Sequence, residues 1–197
     1  MAIDANTLTD YAEVKEYLKL GDDTDQAMLE DLINRASAFI EDVALGGREI
    51  AARTNQVEYY DGRGLRDLTV KNYPIIAVNT IFDDPDYDFD SDTLIAAADY
   101  QIYADEGIIT LTNGLVFYKG IRNVQIDYDY GYATIPREIE MVAIELVAMK
   151  WADREKKKLG RTSEKYQDGS VAYFIADLLP QHKQVLKAYK ALNVAGV

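Results

Sequence analysis

The residues able to do chemistry in this chain are few. It holds one histidine, His182, and no cysteine. A Ser–His–Asp arrangement would have to use His182, and no Gly-x-Ser-x-Gly elbow is present. Neither a Gly-x-x-x-x-Gly-Lys-Ser/Thr phosphate loop nor a dinucleotide fingerprint occurs. His182 falls in the first turn of a predicted helix, with no Cys or acidic residue beside it at ligand spacing. It reads as an ordinary surface residue.

Carboxylates are plentiful. Asp84, Asp86, Asp88 and Asp90 alternate within residues 83–92, superficially like a calcium loop. Phe89 stands where the sharp-turn Gly of such a loop belongs, and Ile95 where its bidentate Glu belongs. A solvated acidic loop is the simpler reading, with cation binding as the alternative. Glu138, Glu140 and Glu145 lie on a predicted apolar helix. The first two sit at its N-terminus, where acidic side chains favour the dipole. Paired-carboxylate hydrolysis is the enzymatic alternative, yet nothing else converges there. Arg154, Lys156, Lys157, Lys158, Arg161 and Lys165 form a basic cluster. It suits phosphate contacts, and equally the C-terminal end of a helix. The implied cofactor is none.

The net charge of −13 in 197 residues argues against a general nucleic-acid binder. It also makes copies of the chain repel one another, so self-assembly should strengthen as salt screens them. The length suits one domain with a sizeable core. No uncharged run is long enough to span a membrane. The first residues lack the basic and apolar regions of a signal peptide, and the absence of Cys fits a cytosolic origin. Tyr is abundant at 15 residues. That suits strands and interfaces alike.

The elements that must position these groups follow from periodicity. Tyr11, Val14 and Leu18 predict a short helix ended by Gly21. Leu29, Leu32, Ile33, Ala36, Ile40 and Val43 predict a second, to about Ala44. From 55 to 130 the period changes to two, predicting a meander of about six strands. Asn113-Gly114 is its strongest hairpin signal. Val124, Ile126, Tyr128 and Tyr130 form the buried side of the last strand. Pro136 then opens a helix that is apolar nearly all round and runs to about Lys158, roughly 33 Å at 1.5 Å per residue. Such a helix must be enclosed by other helices or by a second subunit. Residues 160–170 are polar and Gly-punctuated, hence a loop. Val185, Leu186, Tyr189 and Leu192 line one face of a last helix. That stripe is either core or a face that docks on a partner.

The expected architecture is α+β and mainly helical. A bundle of N-terminal, central and C-terminal helices carries an inserted antiparallel β-meander. It forms a single domain over 1–197, with a helical core at 8–46 and 134–193 and a β-rich insertion at 55–131.

Several blocks, in this order, resemble the head–tail connector (head-completion, adaptor) proteins of long-tailed bacteriophages and prophages. They are Glu13-Val14-Lys15-Glu16-Tyr17-Leu18-Lys19, the Leu29–Glu41 helix pattern, Glu58-Tyr59-Tyr60-Asp61-Gly62 and Leu68…Tyr73-Pro74-Ile75…Val78. Gly131-Tyr132…Ile135-Pro136…Ile139…Ala143 and Gly169-Ser170-Val171…Leu179-Pro180…Leu186…Tyr189 complete the series. The resemblance implies a structural virion protein at the head–tail junction, made in the host bacterial cytoplasm, and not an enzyme. It implies a homo-oligomeric ring, commonly of about twelve subunits, with family members often monomeric in isolation. Its implied partners are the portal protein, the downstream head-completion or tail protein, and genomic DNA passing through the channel without sequence-specific binding. No membrane is involved. It assigns Leu178, Leu179, Val185, Leu186, Tyr189 and Leu192 to the portal interface. It assigns Lys156, Lys157, Lys158, Arg161 and Lys165 to a loop facing the channel or a neighbour. The strand-rich middle is longer than in the smallest, nearly all-helical members. The alternative reading is a tail-completion or other phage binding module, non-enzymatic, acting through an exposed sheet edge near residues 55–70.

Overall fold

The computed structural model describes residues 2–155, 163–166, 169–172 and 178–190. The chain divides into two compact units. Among the described residues, one comprises those up to Gly47 together with those from Ile135 to Lys190, and the other Arg48–Thr134.

The first unit is built on helices. α1 (Tyr11–Leu18) starts where the Asp10 carboxylate accepts the Glu13 N–H at 2.9 Å, and it ends on Lys19 in the left-handed region at φ 55°. The stop comes before the expected Gly21. α2 (Gln26–Ala38) buries Leu29, Ile33 and Ala36, as its spacing requires. It runs on as a π-turn over Phe39–Ala44, with the Leu45 N–H bonded to the Ile40 carbonyl at 2.9 Å. The wider turn rotates the stripe. Ile40 and Glu41 are buried, while Val43 is 64% exposed.

α3 (Arg137–Glu155) is the axis of this unit. Ile139, Val142, Ala143, Ile144, Leu146, Val147 and Trp151 are all buried. α1, α2 and α4 (Pro180–Tyr189) all pack on α3, so helices of the same chain enclose it. Each buried Leu, Ile or Val contributes about 1.5–3 kcal/mol. Among the described residues, no helix is long and apolar enough to cross a membrane.

The second unit holds two antiparallel three-stranded sheets. Its strands are β1 (Arg53–Gly62), β2 (Asp67–Thr69), β3 (Ile75–Asp83), β4 (Tyr100–Tyr103), β5 (Ile108–Leu111) and β6 (Gly120–Tyr130). Their orders are β1-β6-β3 and β2-β5-β4. Both sheets contribute to one core of Leu68, Ile81, Ile109, Phe117, Val124 and Ile126. The predicted face of β6 is present: Val124, Ile126 and Tyr128 are fully buried and Tyr130 is 2% exposed.

Four expectations are corrected. The fold is not mainly helical, because strand and helix take comparable shares. The long strands β1, β3 and β6 form a sheet unit in their own right. The six strands are not a meander, since β6, the last in sequence, sits centrally between β1 and β3. Asn113 and Gly114 do form a tight turn, with φ of 55° and 79° and the Leu115 N–H on the Thr112 carbonyl at 2.9 Å. No hairpin follows, because β2 and β4 already flank β5. The chain passes instead to Leu65, whose carbonyl accepts the Phe117 N–H at 2.9 Å. Finally, the expected loop at 160–170 contains an antiparallel ribbon of β7 (Ser163–Tyr166) and β8 (Gly169–Ala172).

Candidate interaction surfaces

His182 is the largest departure from the sequence reading. It is not a surface residue: it is 1% exposed. Its Nε2 lies 2.6 Å from Glu145 Oε2, and the Leu179 N–H points at its Nδ1 at 3.4 Å. With Nδ1 accepting, the neutral ring carries its proton on Nε2 and donates it to Glu145. The imidazole therefore ties the start of α4 to the middle of α3. A cleft of about 310 Å³ adjoins this pair, lined by Arg137, Met141, Glu145, Gln181, His182 and Val185 among others.

Of the face assigned to the portal, Leu178 is 9% and Leu186 2% exposed. Leu179, Val185 and Tyr189 are half-buried. Leu192 lies outside the described residues, as do Lys156, Lys157, Lys158 and Arg161. Lys165 is on β7.

Glu138, Glu140 and Glu145 of α3 do not converge. Glu140 pairs with Arg137 at 2.8 Å, Glu145 meets His182, and Glu138 is exposed. Among the described residues, no group of three or more His, Cys, Asp or Glu is placed to hold a metal ion.

The acidic run has an internal organiser. Asp84 is 2% exposed, and its carboxylate accepts the N–H groups of Asp86 at 2.8 Å and Phe89 at 2.6 Å. Burial pushes its pKa up. The N–H groups of Asp86, Phe89, Asp88 and Tyr87 outweigh that and hold it below the usual carboxylate value. Tyr87 and Phe89 sit in the left-handed region at φ 66° and 49°, a conformation that costs side chains of this bulk about 1–3 kcal/mol each. The next-door carboxylate behaves oppositely. Asp83 is raised by burial, against the Tyr118 N–H and the Asn123 amide, and further by the charge of Asp84.

The tyrosines divide into a buried and an exposed set. Tyr128 and Tyr60 donate to the Glu58 carboxylate, the former at 2.7 Å, and Tyr130 donates to Glu49. Burial above all raises all three phenols. Tyr59, Tyr87, Tyr103 and Tyr118 are 40–61% exposed.

In the helical unit, α2 and α3 leave a groove of about 420 Å³. Met28, Leu32, Phe39 and Leu146 form its apolar floor, and Arg35, Lys150 and Arg154 its rim. Among the described residues its lining includes no carboxylate, although Asp31 and Asp25 pair with Arg35 and Arg154 beside it.

A family model for head completion proteins matches residues 7–192. The chain belongs to the head completion protein family. Its fold is similar to that of chains in the neck of an empty GTA particle computed with C6 symmetry and of a native one computed with C12 symmetry. Each shows TM-score 0.58 at 16% identity, over 100% of this chain and 97% of that one. A chain in the virion of a native gene transfer agent particle gives TM-score 0.59 at 17% identity, over 100% and 96%. No curated protein sequence matches this head completion protein.

Three features of the protein escaped its sequence. Glu145 and His182 are 37 residues apart, beyond any local spacing rule. The groove arises because Leu32, which the spacing placed in the buried stripe of α2, is only half-buried, as are Met28 and Phe39 beside it. The hub role of Asp84 had a faint signal: an Asp preceding Pro85 among turn-forming residues.

Proposed function

We propose that this chain is a structural subunit of the virion head–tail junction. It assembles into a ring, docks on the portal, extends the DNA channel and offers a platform for the next connector or tail protein. The observation that carries this reading is the family match over residues 7–192. A fold similar to chains of six- and twelve-fold neck assemblies adds support. The role is structural and not enzymatic, and the engagement of Glu140 and Glu145 by Arg137 and His182 is consistent with that.

Portal contact falls to the C-terminal helix. Leu178 and Leu186 hold α4 in place, while Leu179, Val185 and Tyr189, with Leu192 beyond, supply the contact. The cluster of Lys156, Lys157, Lys158, Arg161 and Lys165 faces the channel or a neighbouring subunit. The acidic chain lets DNA slide through without sticking. Negative-stain microscopy of the protein with its cognate portal tests the proposal. Rings stacked on the portal are expected, and subunits that ignore it at high concentration overturn the reading.

One observation favours the second reading, a binding module that adds a partner strand. Among the described residues, β1 is an edge strand of its sheet. At the other edge, β3 bonds to the segment around Leu94 and Ile95. A peptide that pairs with β1 and protects its amides from exchange would support it.

A further inference from the structure

The α2–α3 groove has an apolar floor and a rim of Arg35, Lys150 and Arg154, while the loop at 84–92 is acidic. We propose that the groove of one subunit receives the Tyr87 loop of a second copy of this chain, forming the repeating contact of the ring. The proposal rests on the ring-forming reading above and specifies its interface.

Met28, Leu32 and Phe39 lie half-buried along α2, and Leu146 closes the floor from α3. These apolar side chains face a space of about 420 Å³, within the range that holds organic ligands and side-chain anchors. Arg35 pairs with Asp31 at 2.9 Å and Arg154 with Asp25 at 3.6 Å. Their side chains are nonetheless 74% and 46% exposed. A guanidinium has five N–H donors, and one carboxylate takes two at most. The rim therefore still offers donors, in a chain whose net charge is −13.

The loop offers the opposite character. Tyr87 is 53% exposed between exposed Asp86 and Asp88. Its hydroxyl is bonded to the Ile121 carbonyl at 3.1 Å, and Ile121 is itself 73% exposed. Tyr87 also meets Phe89 edge-on, at 6.4 Å between ring centroids. A half-exposed aromatic ring thus stands between two exposed carboxylates, on a loop fixed by the bonds to Asp84. An aromatic anchor in a pocket with paired charges around it is how compact interfaces concentrate affinity. Groove and loop are different surfaces, so their contact is heterologous. Such contacts close rings when the rotation permits.

The absence of cysteine supplies the experiment. Arg35→Cys and Asp88→Cys chains, mixed under oxidising conditions with the cognate portal, are expected to give a disulfide-linked dimer of one of each. Either chain alone should give at least tenfold less. Charge reversal tests the same contact without a crosslink. Arg35→Glu with Arg154→Glu, and separately Asp86→Lys with Asp88→Lys, should each weaken ring formation at least tenfold. Mixing the two reversed chains should recover part of the loss. Circular dichroism confirms that each variant is folded. Wild-type rings accompanied by no mixed dimer and unaffected by either reversal would overturn the interface while leaving the ring reading standing. A doubly substituted chain that closes its disulfide as a monomer would overturn it as well. Wild-type protein that forms no ring with portal would sink the functional reading and this interface together.

Discussion

His182 Nε2 and Glu145 Oε2 lie 2.6 Å apart, joining α4 to α3 through an imidazole that is almost wholly buried. Replacing His182 by Leu removes the donor to Glu145 and the acceptor for the Leu179 N–H. A loss of about 1–3 kcal/mol is expected, read as a lower urea midpoint with unchanged slope. Nitrogen NMR of the wild-type ring should show the Nε2–H tautomer. A ring protonated on Nδ1 would show that the Leu179 contact is not a hydrogen bond.

Asn123 is fully buried where β1, β3 and the segment before β6 meet. Its Oδ1 accepts the Gly62 N–H at 2.9 Å, and its Nδ2 donates to Asp83 Oδ1 and the Tyr118 carbonyl, both at 3.0 Å. Asn123→Ala orphans all three groups. It should cost about 3 kcal/mol or more, measured by chemical denaturation. A change below about 0.5 kcal/mol would mean that water replaces the amide there.

Adjacent Asp83 and Asp84 should titrate on opposite sides of the usual Asp value. Burial raises Asp83, so its contribution to stability is fully present below its unfolded pKa and lost as pH rises through its folded pKa. Backbone N–H groups lower Asp84, whose contribution is present above its unfolded pKa and lost as pH falls through its folded pKa. On acidification Asp83 should protonate first. The bonds that fix Tyr87 and Phe89 should fail last. Carboxyl carbon NMR across the acid range checks the order, and coincident titrations would refute it.

The two kinds of apolar residue on α4 should respond differently to a charge. Leu186 is 2% exposed, so Leu186→Asp should destabilise the helical unit by more than about 3 kcal/mol. Val185→Asp and Tyr189→Asp fall at half-exposed positions and should leave the fold cooperative while abolishing portal binding. A pull-down with portal beside a thermal melt separates the two effects. Wild-type binding by both folded variants would remove α4 from the docking face.

Subunits of net charge −13 repel one another over distances that salt screens within about 8–10 Å near physiological ionic strength. Ring formation should therefore rise with salt between low and physiological ionic strength. Short-range pairs such as those proposed at Arg35 and Arg154 are screened less. Light scattering gives the direction, and assembly weakened by salt would show that the local pairs outweigh the net repulsion.

Much of the architecture was legible because periodicity is a local property. Leu29, Ile33, Ala36 and Ile40 fix the buried stripe of α2. Val124, Ile126, Tyr128 and Tyr130 fix the inner face of β6, and Pro136 marks the entry to α3. Spacing alone also called for an enclosure around α3, and the ordered blocks from Glu13 to Tyr189 were enough to indicate the family. Strand order was not legible. Nothing within β6 tells that it pairs with β1 and β3, since pairing is settled by which buried faces can share one core. The Asn113-Gly114 turn formed without its hairpin for the same reason: β2 and β4 had already taken both edges of β5. His182 became a buried tie because Glu145 came to it from another helix. The groove between α2 and α3 exists only where two half-apolar flanks meet. Local period thus marked the principal helices and strands and their apolar faces, though not the ribbon of β7 and β8. The tertiary structure decided which faces meet, because that depends on residues far apart in sequence competing for the same buried surface.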